Sequence, residues 1–263
     1  MNSYKNMSFF DHFKDLRRLL LRSIISIIFF TCFVLINKNF LFDYIIFSPI
    51  RSNFISYTLI SKLGSVFHQQ INIAKNKIII QNNQLLGQFN TYVLVSLIGG
   101  IILSYPFICY ELWKFIKPGL FLKERKIIKN LLILSSILLI LGLIIGYFIL
   151  SPFAIQFSNT FFISNLPKNI FSLNDYVILI INSTILMGIL FLFPLIPLFL
   201  SKLDLITFQT LKEYRKYAFF LLFIIASAIT SGEFITTILI FCPLYLLYEL
   251  SIIITFFFNI CFI

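Results

Sequence analysis

Charge is what this chain has least of. Only 12% of its 263 residues are Asp, Glu, Lys or Arg, about half the share carried by an ordinary water-soluble domain. Acids are the scarcer sign, 10 against 21 bases. The four cysteines, Cys32, Cys109, Cys242 and Cys261, are scattered and show no zinc or redox spacing. They read as small apolar packing residues. His12 and His68 stand alone, so no metal site is expected. There is no phosphate loop, nucleophile elbow, HExxH or glycine-rich dinucleotide fingerprint. The acids do not line up as a proton relay. No arginine follows Arg215, where a rotary ion-translocating subunit would need one deep in a late span. A channel wants rings of polar residues, and only Asn182-Ser183-Thr184 hints at one. Neither enzyme chemistry nor a cofactor is expected. The first apolar run is too long for the core of a cleavable signal, and no small-residue cleavage site follows it.

Apolar sequence is what the chain has in excess. It is 59% hydrophobic with 34 Phe and a mean hydropathy of +0.97. The runs are long enough to cross a bilayer, which takes about 20 residues. We read an all-α polytopic membrane protein forming a single domain of six transmembrane helices. The spans are expected at 19–36, 91–115, 127–151, 177–200, 218–231 and 234–256. Pro106 is expected to break the second span, and Pro194 and Pro197 to bend the end of the fourth. Gly142 and Gly146 sit at the small-xxx-small spacing that lets helices approach closely. Pro49 is expected to open a short helix or turn in the long loop that follows span one.

The net charge of +11 is no nucleic-acid footprint, because its cations flank the apolar runs and meet lipid headgroups. Lys5, Lys14, Arg17, Arg18 and Arg22 precede or begin span one. Lys114, Lys117, Lys123, Arg125, Lys126 and Lys129 lie between spans two and three, and Lys202, Lys212, Arg215 and Lys216 between four and five. These are 15 of the 21 bases. Both termini and the loop around Glu124 are therefore expected on the inner side: cytoplasm, matrix or stroma. The richness in Phe, Ile, Asn, Lys and Tyr points to an AT-rich gene, as in an organelle or a reduced bacterial genome.

Each acid can be weighed. Asp43, Asp175, Asp204 and Glu213 fall in loops or at span edges and read as solvated. Asp11 and Asp15 precede span one and suit the positive end of a helix dipole. Glu111 is placed to reach water from the inner end of span two. Glu233 lies in the tight outer connection between spans five and six. Glu249 lies well inside span six, at a cost of about 2.5–3.5 kcal/mol on insertion scales. It marks either a functional group or a paired acid fixing helix contacts. Glu124 sits among five bases in the stretch Lys114–Lys126. It is either an acid paired with a base one turn away or a recognition site.

The motifs resemble those of TatC, the multispanning receptor subunit of the twin-arginine (Sec-independent) protein translocase. His12-Phe-Lys-Asp15-Leu-Arg17-Arg18 is similar to the family's His-x-x-Glu-Leu-Arg start. Ser104-Tyr-Pro106, Tyr110, Trp113, Phe115, Pro118-Gly-Leu120 and Lys123-Glu124-Arg125 resemble its most recognisable stretch. Gly142, Gly146-Tyr-Phe148, Pro152, Pro194, Leu211, Arg215, Tyr217, Pro243, Tyr245 and Glu249 fit further along. The resemblance implies a concave receptor that binds twin-arginine signal peptides of folded cargo on its inner face. It also implies single-span Tat partner subunits resembling TatA and TatB, homo-oligomers, and transport driven by the proton-motive force. The signal-binding residues it carries over are Glu124, Phe115 and Asp15, flanked by Arg17, Lys123 and Arg125. A guanidinium fork pairs bidentately with a carboxylate, and Phe115 is suited to stack on one. Pro106, Pro118, Pro194, Glu233 and Glu249 are expected to matter within the membrane.

Three departures stand out. Asp15 is one methylene shorter than the family's Glu. Leu192 and Phe193 occupy the place of an acid tied to docking the single-span partner. Thr230-Ser-Gly-Glu233 replaces Thr-Pro-Pro-Asp. The eroded acids point to a mitochondrial inner membrane, with the plastid thylakoid membrane and the bacterial cytoplasmic membrane as alternatives. A small-molecule permease with a midplane site at Pro194, Pro197 and Glu249, or a structural subunit of an organellar complex, are the rival readings.

Overall fold

Helix α1, Phe9–Ile36, runs 28 residues, a whole turn and more beyond the expected apolar span. A computed structural model describes residues 9–51, 54–57, 78–120, 122–160, 169–202, 208–229 and 234–260, with only the backbone at some helix positions. The apolar run gives α1 its membrane length, and the basic stretch before it continues the same helix. Asn37 stops it: its Nδ2 donates to the Phe33 carbonyl at 2.8 Å and its backbone N–H to Val34 at 3.2 Å. Two otherwise unpaired carbonyls of the last turn are thereby satisfied.

The chain divides into two compact units, one of residues 1–41 and 92–136, the other of 42–91 and 137–263. In the first, α1 packs against α2, Gly87–Ile116. Leu19, Ser23, Ser26 and Val34 form a narrow buried stripe on α1. Around it Leu20, Leu21, Ile24, Ile25, Ile28, Phe29 and Phe33 stay exposed, as suits a helix bathed in lipid. The helices meet at Gly99 and Gly100. A Cβ on Gly100 would come within 2.8 Å of the Thr31 backbone, and one on Gly99 within 3.4 Å of Val34. At position 100 only glycine permits this approach. The Tyr92 hydroxyl donates to the Leu35 carbonyl at 2.5 Å. Pro106, expected as a break, lies inside a continuous helix. A proline removes one intrahelical hydrogen bond, and membrane helices absorb that loss by local adjustment. After α2 comes a 3-10 turn, Lys117–Gly119, then α3, Leu122–Ile145.

In the second unit the later turns of α3 continue into a π-helical segment, Gly146–Leu150, and α4, Ser151–Thr160. Gly142 and Gly146 lie against α5, Leu173–Leu190. A Cβ on Gly142 would stand 2.7 Å from the Met187 carbonyl, and one on Gly146 2.9 Å from that of Ser183. The small-residue spacing read from the sequence is thus a contact surface. Pro152 has no N–H for the carbonyl four residues back, and the Ser56 hydroxyl donates to that carbonyl, Phe148. The long loop after span one holds a π-helical segment, Phe40–Ile46, and a 3-10 turn, Ser48–Ile50, with Pro49 in its first turn as expected. Tyrosines tie this loop down: Tyr147 to the Ile45 carbonyl at 2.6 Å, Tyr176 to Ile46 at 2.8 Å and Tyr57 to Pro49 at 2.9 Å. Burial pushes the Tyr57 hydroxyl up to about 12. A two-residue parallel pairing of β1, Ile80–Gln81, with β2, Phe171–Ser172, is a small addition to the expected all-α fold.

Span four is interrupted as Pro194 and Pro197 predict. Helix α5 ends at Leu190, residues 191–194 form turns, and α6, Leu195–Lys202, resumes. Next come α7, Phe208–Glu213, α8, Arg215–Ile229, and α9, Phe234–Ile260. Ile240, Leu244, Tyr248 and Ile252 recur every four residues on α9 and pack with Leu211, Leu222, Ala226 and Met187. Among the described residues, four stretches are apolar and long enough to cross a membrane: Phe13–Ile36, Gly87–Gly119, Ile128–Gln156 and Leu173–Ser201. Helix α8 has 15 residues, about 22 Å at 1.5 Å each.

Candidate functional site

One end of the first unit holds the first turns of α1, the last turns of α2 and the 3-10 turn. Two contacts set the register of α1 against α2: Thr31 beside Gly100, and Arg22 Nη1 donating to Glu111 Oε2 at 3.3 Å. The helices run antiparallel, nine residues from one contact to the other on α1 and eleven on α2. Seven residues beyond Arg22 is Asp15, and seven beyond Glu111 is Pro118. That register sets Asp15 level with the 3-10 turn. Phe115, one turn before Pro118, is half-buried, while Lys114, Lys117 and Pro118 are exposed.

Asp15 accepts from Arg18 Nη1 at 3.3 Å, with the two side chains 38% and 69% exposed. A surface pair of this kind contributes about 0.5 kcal/mol or less, so Asp15 remains an available acceptor. Arg17 is exposed. Arg125 Nε donates to the Leu120 carbonyl at 3.2 Å, tying α3 back to the end of the turn. Lys123 and Glu124 fall in the first turn of α3, but their side chains lie outside the described residues. Glu233 is also outside them. The structure therefore brings Asp15, Phe115, Pro118 and Arg125 to one end of the first unit.

Glu111 departs from expectation. Rather than reaching water, it is 7% exposed and paired with Arg22 across 89 residues of sequence. Burial of a carboxylate is costly unless paired, and Arg22 sits where its stem can lie along the helix with its head outward. Nothing in the sequence pattern marks this pair.

Glu249 belongs to the second unit. Arg215 Nη2 donates to its Oε2 at 2.8 Å, and the Tyr245 hydroxyl to its Oε1 at 2.9 Å. Of the two readings left open for this acid, the structure favours the paired one. The Tyr248 hydroxyl, one turn from Tyr245, donates to the Leu211 carbonyl at 2.9 Å. Pro194 is buried at the turn after α5, and Leu192 is half-buried there. Among the described residues no group of His, Cys, Asp and Glu is placed to hold a metal ion.

Long apolar helices carrying paired acids, with a charged, proline-marked turn at one end, define a polytopic helical membrane protein. Comparison with known proteins gives the family. Residues 11–243 match the model of the Sec-independent protein translocase protein (TatC). The chain is 47% identical to the TatC of Blattabacterium sp. subsp. Periplaneta americana, covering 97% of each chain. It is 34% identical to the TatCy protein of Bacillus subtilis, over 77% of this chain and 79% of that one. A crystal structure of the twin-arginine translocase receptor TatC superposes with a TM-score of 0.61 at 26% identity, covering 92% of this chain and 96% of the other. The chain belongs to the TatC family.

Proposed function

We propose that this chain, as a Sec-independent protein translocase component, is the receptor for the twin-arginine signal peptides of folded cargo. It presents Glu124, Phe115 and Asp15 to the two arginines, with Arg17, Lys123 and Arg125 alongside. The observation that carries this reading is the register of α1 on α2, which sets Asp15 level with the turn after Phe115. Two guanidinium groups need more than one carboxylate, and flanking cations keep non-specific basic peptides away by repulsion. The chain spans the membrane six times with both termini inside and assembles with itself and with single-span Tat subunits. It performs no covalent chemistry, and the proton-motive force drives passage. Bacterial relatives at this identity support the bacterial cytoplasmic membrane over the mitochondrial inner membrane that composition favoured.

The test is crosslinking of a twin-arginine peptide, with a twin-lysine peptide as control. Glu124→Ala is expected to abolish crosslinking while the protein still inserts; unchanged crosslinking sinks the site. Leu192→Glu is expected to leave signal binding intact and to change only docking of a single-span partner. Loss of signal binding in that variant counts against the division of roles. The permease alternative needs an open polar site at Glu249, and that carboxylate is already engaged by Arg215 and Tyr245.

A further inference from the structure

We propose that Glu111 is a further acceptor for a cargo arginine, and that Arg22 is a resident guanidinium which holds its place until the signal peptide arrives. The inference rests on the receptor reading above and deepens it. Glu111 is four residues before Phe115, so both lie on one face of α2. Its carboxylate is buried, yet among the described residues Arg22 is its only ion-pair partner, through one contact of 3.3 Å. A tight guanidinium–carboxylate bond is about 2.7–2.9 Å and often doubled. The Arg22 side chain is 48% exposed, free to swing toward headgroups and water. Exchange of one guanidinium for another keeps the buried carboxylate neutralised throughout, which direct opening of an unpaired acid would not. The same arrangement recurs one step outward, where Arg18 covers Asp15. Among the described side chains of this unit, Glu111 and Asp15 are each paired with an arginine of α1.

The experiment measures binding of a fluorescent twin-arginine peptide and its twin-lysine control to the full chain in detergent micelles. Arg22→Gln, which takes the cation from Glu111, is expected to tighten twin-arginine binding about two- to fivefold, the worth of one partly exposed ion pair. Glu111→Gln is expected to weaken it. The charge reversal Arg22→Glu with Glu111→Arg keeps an internal pair and so protects the fold. It is expected to weaken binding more than tenfold by placing a cation where the cargo arginine goes. Unchanged binding in the reversal, or unchanged or weaker binding in a folded Arg22→Gln, overturns the proposal and leaves the pair a structural one. If the parent chain does not prefer arginine to lysine, the receptor reading falls before this inference is reached.

Discussion

Among the described residues, two arginine–carboxylate pairs cross between helices, and they are built differently. Arg215 and Glu249 meet at 2.8 Å, and Tyr245 fills the second carboxylate oxygen. Arg22 and Glu111 meet at 3.3 Å, with the acid buried and the base half out. In the first, both oxygens of Glu249 are engaged, with Arg215 41% and Glu249 25% exposed, while Arg215 Nε is buried without a partner. In the second, one loose contact covers a deeply placed acid. A pair that must stay closed is short and reinforced; a pair meant to exchange is long and half-solvated. Helix association in lipid gains little from the hydrophobic effect, which gives such polar contacts more say than they have in water-soluble cores.

The contrast can be broken in four steps. Glu249→Ala leaves Arg215 unpaired at the start of α8 and is expected to cost about 2–3 kcal/mol, below the 3–5 of a fully buried pair because both partners are partly exposed. Heating in micelles should show a clear drop in midpoint, and a drop smaller than that of Arg22→Gln reverses the comparison. The double reversal Arg215→Glu with Glu249→Arg should recover roughly half that loss, since Tyr245 would then have to turn from donor to acceptor toward a longer side chain. Tyr245→Phe removes one hydrogen bond to a charged group and should cost about 1–1.5 kcal/mol. Arg22→Gln is expected to be mildest, under about 1 kcal/mol in stability, provided that the glutamine amide still donates to the buried Glu111 carboxylate; its main effect is on peptide binding. Equal thermal losses for Tyr245→Phe and Arg22→Gln would show that the 0.5 Å difference in contact length carries no functional meaning.

The membrane helices were legible in the sequence because apolar run length is a local signal. So were Gly142 and Gly146, the turn at Pro194 and the 3-10 turn at Pro49, each marked by a residue whose backbone or size allows little else. Pro106 misled, because a proline inside a membrane helix need not interrupt it. The pairings of Arg22 with Glu111 and Arg215 with Glu249 were not legible. They span 89 and 34 residues, and which carboxylate meets which base depends on helix register, fixed by the Gly100–Thr31 contact and by packing along α9. Asp15 and Phe115 were recognised through motif resemblance; their coming to one end of the unit needed that register as well.

The backbone contact of Gly100 with Thr31 also acts as a fulcrum. From Thr31 the arm of α1 reaches about 13 Å to Arg22 and about 24 Å to Asp15, at 1.5 Å per residue. A tilt of about 5° around that point displaces Arg22 by about 1 Å and Asp15 by about 2 Å. The pivot itself hardly moves, while Arg22 travels far enough to open its 3.3 Å contact with Glu111. A bulkier residue than glycine at position 100 would push the pivot apart and blunt that mechanical advantage without touching a single charged group.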